Sequence, residues 1–202
     1  VRMTKSFGAM EQAVEIPDLK APAPVVRHPF ERQPMRWISV PTNAVSRHRR
    51  QHERLDVITE QFETVSFNQS SGSGKLGIIA SGFTHTKLSE VLGKSGVEHF
   101  RILKLGIVNP IPPRLIADFL SSVEAVLVLE ENEPFVEAHI KRIAYDAAVS
   151  TPIHGKLNQT VSREGELFRW QICESLKTYC SDWTPASEFR PEDEVKLMPS
   201  LS

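Results

Sequence analysis

The 202-residue chain predicts an α/β fold built on a mostly parallel sheet with helices on both faces. Three observations predict it. Leu76–Ala80 is an apolar run without the polar alternation of a half-exposed strand, as expected for a strand covered on both sides; Arg101–Leu105 reads as a second strand and Ala125–Leu129 as a third, apolar one. A stretch of helical periodicity follows each run, so strand and helix alternate through the middle of the chain. Glycine or proline punctuates the turns between them, at Gly82, at Asn109-Pro-Ile-Pro-Pro113 and at Pro134.

Residues 1–41 form an extended arm. Pro17, Pro22, Pro24, Pro29, Pro34 and Pro41 remove backbone donors and disfavour helix in the residues before them. Val1–Thr4 and Ala13–Ile16 read as short strands, and Trp37 as an anchor buried against a neighbour. Residues 42–74 combine a helix with a linker. From Asn43 to Val65 the positions Leu55, Ile58, Phe62 and Val65 make one helical stripe. Arg47, His48, Arg49, Arg50, His52 and Arg54 make the first half basic. They read as a solvated face or as partners of Glu53, Asp56, Glu60 and Glu63. Ser66–Gly74 is rich in Ser, Gly and Asn and reads as a flexible linker.

The α/β domain is assigned to residues 75–181. After the first strand, Thr84–Gly93 is a helix with Leu88, Val91 and Leu92 inside. After the second, Pro112 or Pro113 opens a helix in the turn where a missing N–H costs nothing, with Leu115, Ile116, Phe119 and Leu120 inside. After the third, Glu133–Ala148 aligns Val136, Ile140, Ile143 and Ala147. The signal weakens beyond Pro152, and Glu164–Cys180 reads as a last amphipathic helix carrying Leu167, Trp170 and Leu176. The tail, 182–202, is rich in proline and charge and reads as ragged.

A formal charge of -1 points to neither a nucleic-acid nor a membrane partner. No run reaches the roughly 18 apolar residues that span a bilayer. Cys173 and Cys180 lie seven residues apart on the last helix, about 10 Å along its axis, too far for a disulfide. Two packing thiols and no signal peptide predict a cytoplasmic protein. A first residue that is Val rather than Met predicts a piece of a longer polypeptide.

No motif in the chain predicts catalysis or a metal site. Gly72-Ser-Gly74-Lys75 is not a phosphate loop: Gln69 stands where the first glycine belongs, Leu76 follows the lysine, and the segment precedes its strand. Ser81-Gly82-Phe83-Thr84 lies between strand and helix, where amides can hold an anion, but lacks the dinucleotide fingerprint. Glu130, Glu131 and Glu133 gather carboxylates at a strand's carboxyl end, where such sheets place ligands. Glu133 also suits a helix N-terminus. His28, His85, His99, His139 and His154 have no ligand spacing. The candidate interface or ligand loops are therefore Gly82, Phe83, Asn109, Pro110, Glu130 and Glu131.

The wording around these strands carries a family resemblance. Lys75-Leu-Gly-Ile-Ile-Ala-Ser-Gly82, Ile102-Leu-Lys-Leu-Gly-Ile-Val-Asn-Pro-Ile-Pro112 and Val126-Leu-Val-Leu-Glu-Glu-Asn-Glu-Pro-Phe-Val-Glu137 resemble the alpha subunit of indolepyruvate:ferredoxin oxidoreductases. Trp37-Ile-Ser-Val-Pro-Thr-Asn-Ala44, His154-Gly-Lys156 and Gly165-Glu166 are similar to the family's spacing, and Val1-Arg-Met-Thr-Lys5 resembles the end of its pyrimidine-binding domain. Lys5 and Gly8 depart from it, where Arg and His are usual.

The resemblance implies the middle domain of a thiamine-diphosphate-dependent 2-oxoacid:ferredoxin oxidoreductase, of transketolase C-terminal-domain type. Such an enzyme converts an aryl 2-oxoacid to an acyl-CoA. Its thiamine diphosphate, Mg²⁺ and 4Fe-4S clusters are implied for the whole enzyme, with none bound by this span. The implied partners are the rest of the alpha subunit, a beta (gamma-type) subunit, ferredoxin and coenzyme A, in a homo-oligomer. The rival expectation is a stand-alone, non-catalytic assembly module or one that binds an anion or CoA, with Arg47–Arg54 as the CoA-recognising segment.

Overall fold

Side-chain alternation along the central strands sorts the core into two faces of one sheet. The structure, a computed structural model, describes residues 29–93 and 98–192, together with Ala13, Glu15, Ile16, Asp18, Ala21 and Pro24. In chain order the elements are α1 (Pro34–Trp37), α2 (Pro41–Phe62), β1 (Gln69–Ser71), β2 (Leu76–Ser81), α3 (Phe83–Leu92), β3 (Phe100–Leu105) and α4 (Pro113–Ser121). They continue with β4 (Ala125–Leu129), α5 (Phe135–Asp146), β5 (Ile153–His154) and α6 (Arg169–Tyr179).

The strands lie in the order β1-β3-β2-β4-β5, with β1 antiparallel to β3 and every other pair parallel. Ile78, Ala80, Phe100, Ile102, Leu127 and Leu129 point to one face and pack against α3 and α6. Ile79, Leu103, Leu105, Val126 and Val128 point to the other and pack against α4 and α5. Both faces are covered, which is why these strands are apolar at successive positions. The predicted α/β class and mostly parallel layered sheet are the architecture found.

Several expectations change. The supposed linker 66–74 contains β1, because Asn68 locks it down. Its Oδ1 accepts from Gly106 N and Ile107 N at 3.0 and 3.3 Å, and its Nδ2 donates to Phe62 O at 3.2 Å. Trp37 is not buried: it is 68% exposed, with Arg36 over its ring at 5.1 Å. The last helix begins at Arg169, and Leu167 is buried in the loop before it. β5 was unforeseen. Trp183, in the expected ragged tail, is buried edge-on to Phe100. The strand expected at Val1–Thr4 lies outside the described residues, as do Val14, His28 and residues 193–202, while Ala13, Glu15 and Ile16 are not in a strand. Both cysteines are free, Cys173 buried and Cys180 half-buried.

Backbone crowding at Gly74 ties β1 and β2 to β3. A Cβ there would lie 2.0 Å from His99 O. Since a carbonyl in the chain cannot swing aside, Gly74→Ala is expected to cost about 2 kcal/mol of unfolding free energy. Urea denaturation checks this, and an unchanged midpoint would refute the close approach.

Candidate functional site at the carboxyl edge of the sheet

At the carboxyl ends of β2, β4 and β5 the chain collects charged side chains that are mostly out of water. Lys87 is the centre. It sits on the inner stripe of α3 beside Thr84, Leu88 and Val91, which are also buried. Its Nζ donates to Glu131 Oε1 at 3.2 Å, Glu166 Oε1 at 2.8 Å and Leu167 O at 2.8 Å. The rings of Phe83 and Phe168 lie 5.2 and 5.6 Å from it. The side chains of Lys87, Glu131 and Glu166 are 7%, 16% and 10% exposed, so solvent screens them little. All three donors of the ammonium have acceptors, which is what makes its burial tolerable.

Glu131 also accepts from Leu167 N at 2.7 Å through Oε2. It thereby joins three separate segments: the end of β4, helix α3 and the loop before α6. Its neighbour Glu130 points the other way, because successive residues leaving a strand alternate sides. Glu130 is buried and accepts from Val136 N at 2.7 Å and Glu137 N at 2.8 Å, satisfying orphan donors at the start of α5. Burial is the largest influence on Glu130 and raises its pKa, against the opposing effect of those two amides.

Glu137 is fully buried on the inner face of α5. Its Oε2 accepts from Leu157 N at 2.9 Å, and its Oε1 faces Lys141 Nζ at 2.7 Å as an ion pair rather than an aligned hydrogen bond. Gly155 passes so close that a Cβ would stand 2.6 Å from Glu137 Oε2. Lys156, also buried, donates to Ser162 O at 2.5 Å. Desolvation lowers its pKa, while the fields of Glu131, Glu130, Glu133 and Glu164 oppose the shift.

The candidate residues thus divide. Gly82 and Phe83 are brought to Glu131 through Thr84 and Lys87, whereas Glu130 turns away to α5. Gly82 is exposed and takes φ 57°, which glycine adopts at little cost, and this explains its place in the turn. Asn109 is exposed and Pro110 half-buried, and neither joins the ionic cluster. Among the described residues no three His, Cys, Asp or Glu side chains converge as metal ligands. The same description holds no helix long and apolar enough to cross a membrane.

Lys87, Glu137, Lys156 and Glu166 were not singled out from sequence as site residues. A signal existed for two of them: Lys87 and Glu137 fall on the apolar stripes of their own helices, where a charge requires a buried partner. What this arrangement does chemically is hold loops. Glu130, Glu131, Glu137 and Glu166 are each committed to an amide or an ammonium of the same chain, whereas Glu133 is exposed.

A family model for the indolepyruvate oxidoreductase domain matches residues 67–176, from just before β1 to within α6. The chain belongs to the indolepyruvate oxidoreductase domain family. It is 36% identical over 158 residues to the indolepyruvate oxidoreductase subunit IorA of Thermococcus kodakarensis, covering 77% of this chain and 24% of that one. The Pyrococcus abyssi subunit is 32% identical over 174 residues, covering 85% and 26%. For Methanothermobacter thermautotrophicus the figures are 31% over 173 residues, 84% and 27%. The chain therefore spans about a quarter of the length of these curated relatives. Among solved structures, a split-gene transketolase, an inactive β4 tetramer, aligns at TM-score 0.35 and 17% identity. That alignment covers 43% of this chain and 31% of the other, a likeness too slight to add to the topology described above.

Removing the ammonium leaves two buried carboxylates facing each other. Lys87→Met is expected to lower the unfolding free energy by about 3 kcal/mol at neutral pH. Lys75→Met, at the Lys75–Glu124 pair whose side chains are 82% and 66% exposed, should change it by less than about 0.5 kcal/mol. Equal effects in urea titrations would refute the central place of Lys87.

Glu130→Gln has a signed pH dependence. A carboxyl whose pKa is raised in the folded state adds stability below its unfolded value and loses it as pH rises through the folded one. The parent's advantage over Glu130→Gln should therefore shrink between pH 4.5 and 7, apart from a constant lost-cap cost of about 1 kcal/mol. An advantage that grows with pH would show that the amides outweigh burial.

Proposed function

We propose that this chain is the non-catalytic middle domain of a larger oxidoreductase subunit. In this reading the whole enzyme oxidatively decarboxylates an aryl 2-oxoacid, such as indolepyruvate, to an acyl-CoA with ferredoxin as electron acceptor. The observation that carries it is the family match over the sheet domain, joined to a carboxyl edge whose charged groups are consumed by internal bonds.

The residues present do not fit the cofactors implied for the whole enzyme. A thiamine diphosphate–Mg²⁺ pair needs oxygen ligands free to turn toward a metal. Glu130 is held by two amides of α5, Glu131 and Glu166 share Lys87, and Glu137 holds Leu157 N. A 4Fe-4S cluster needs four thiolates, and the chain has two cysteines. One of them, Cys173, is buried, which raises its thiol pKa away from the thiolate form. No step of the reaction is assigned to this chain. Its part is to present loops and helix faces to the domains that do the chemistry.

The test is expression of the chain with and without its flanking coding sequence. Oxidation of indolepyruvate, with CoA and ferredoxin supplied, is expected only from the longer protein and its companion subunit. Thiamine diphosphate with Mg²⁺ should leave the melting temperature of the 202-residue chain unchanged. Flanking sequence without a thiamine-binding motif or cluster cysteines would sink the reading.

A further inference from the structure

Helix α2 is 22 residues long and buries none of them. Among the described residues its carboxyl end is what ties it to the sheet domain: Glu63 accepts from Arg114 N and Leu115 N at 3.1 and 2.8 Å, and Glu60 pairs with Arg114 at 2.6 Å. The other end makes little sense in isolation. Residues 32–52 contain five arginines and no Asp or Glu. Arg47, Arg49, Arg50 and Arg54 make no ion pair among the described residues, so of the two readings of this stretch, a solvated face or partners for the acidic half, the pairing is not seen. Arginine in the first half of a helix also opposes its dipole.

Exposed apolar side chains accompany these cations. Met35 and Trp37 are 65% and 68% exposed, Val45 62% and Val57 59%. The short helix α1 does not hang free of this face. Asn43, in the first turn of α2, donates to Met35 O at 2.5 Å and Ile38 O at 3.3 Å. The two helices are thus joined at this end and expose Trp37, Met35 and several arginines, residue types enriched in protein interfaces.

Sequence spacing decides what kind of surface covers it. Ala44, His48, Gln51, Leu55, Ile58 and Phe62 recur at alternating steps of four and three, a coiled-coil seam. Arg47 and Arg54 flank one side of that seam. In an antiparallel pairing with a second copy, centred on the helix, they would face each other with like charge. In a parallel pairing Arg47 would face His52 and Arg54 would face Thr59, neither of them an acid. A second copy thus offers these arginines no carboxylate at those positions, and a surface bearing carboxylates complements them.

We infer that α1 and the basic half of α2 dock on a carboxylate-lined, partly apolar surface of another domain of the same subunit. The inference rests on the proposed reading of this chain as one domain of a longer subunit. The curated relatives supply room for such a domain, since the chain spans only 24–27% of the three described above.

Hydrogen exchange read by mass spectrometry tests it, comparing the 202-residue chain with the full-length subunit encoded around it. In the chain alone, amides of residues 44–57 should exchange near the unprotected rate, because an undocked helix frays. In the full subunit they should exchange at least about 100-fold more slowly, a coupling of about 2.7 kcal/mol. The triple variant Arg47→Glu, Arg49→Glu, Arg50→Glu in the full subunit should restore fast exchange there while β2 and β4 amides stay protected, which shows that the fold survives.

Equal exchange in both proteins, or protection unaffected by charge reversal, would overturn the inference. So would a micromolar dimer of the chain alone, by light scattering, with α2 protected. Activity separates the two readings. An inactive subunit with a protected α2 removes the enzymatic reading and keeps the interface, while an active one with an exposed α2 does the reverse. A coding sequence limited to these 202 residues removes both.

Discussion

A buried ammonium holding two carboxylates is the constraint on which the carboxyl half of this domain depends. Lys87 reaches from α3 to Glu131 at the end of β4 and to Glu166 and Leu167 O in the loop before α6. Helix α3 and helix α6 cover the same face of the sheet, so this one nitrogen sets how the loop between β5 and α6 approaches them. Apolar contacts on that face supply most of the burial energy, but they are not directional. The ionic contact is directional, and it selects one placement of a loop whose Val161 and Leu167 are buried in the core of that face. Glu131 strengthens the selection by accepting from Leu167 N as well.

The other carboxylates at this edge do the same kind of work on different segments. Glu130 starts α5, and Glu137 seats the turn at Leu157 over a glycine that leaves it room. Beyond the carboxyl end of β3, Glu63 and Asn68 hold the end of α2 and the start of β1 to backbone amides. In every case a side-chain acceptor answers backbone N–H groups that secondary structure leaves unpaired. A sheet edge so occupied is scaffold. Among the described residues the arginines of α2's basic half make no ion pair, and that is where contact with the rest of a subunit is most economically placed.

Much of this was legible beforehand. The three central strands were readable because burial on both faces forces consecutive apolar residues, and their helices because one face repeats every three or four positions. Glu130 and Glu131 were found as a pair at the right edge. Their roles were not, since which amide or ammonium each meets depends on residues up to 36 positions away for Glu131's backbone bond, and 44 for its bond to Lys87. β1 was taken for a linker because Gln69, Ser70 and Ser71 have neither strand propensity nor alternation. Its pairing comes from Asn68 and from β3. Its size predicts a buried place for Trp37, yet it is 68% exposed and the contact on its ring is Arg36 next to it in the chain.

By itself the sequence determined the α/β class, the order of strand and helix through the middle of the chain, and the family. Those follow from periodicity and local wording, which are properties of short windows. Only the tertiary structure decided that the glutamates at the sheet edge are braces rather than ligands, that Lys87 is their centre, and that the basic helix stands unpaired. Those depend on distances between segments far apart in the chain, and on how much water reaches each charge, neither of which a window of sequence contains.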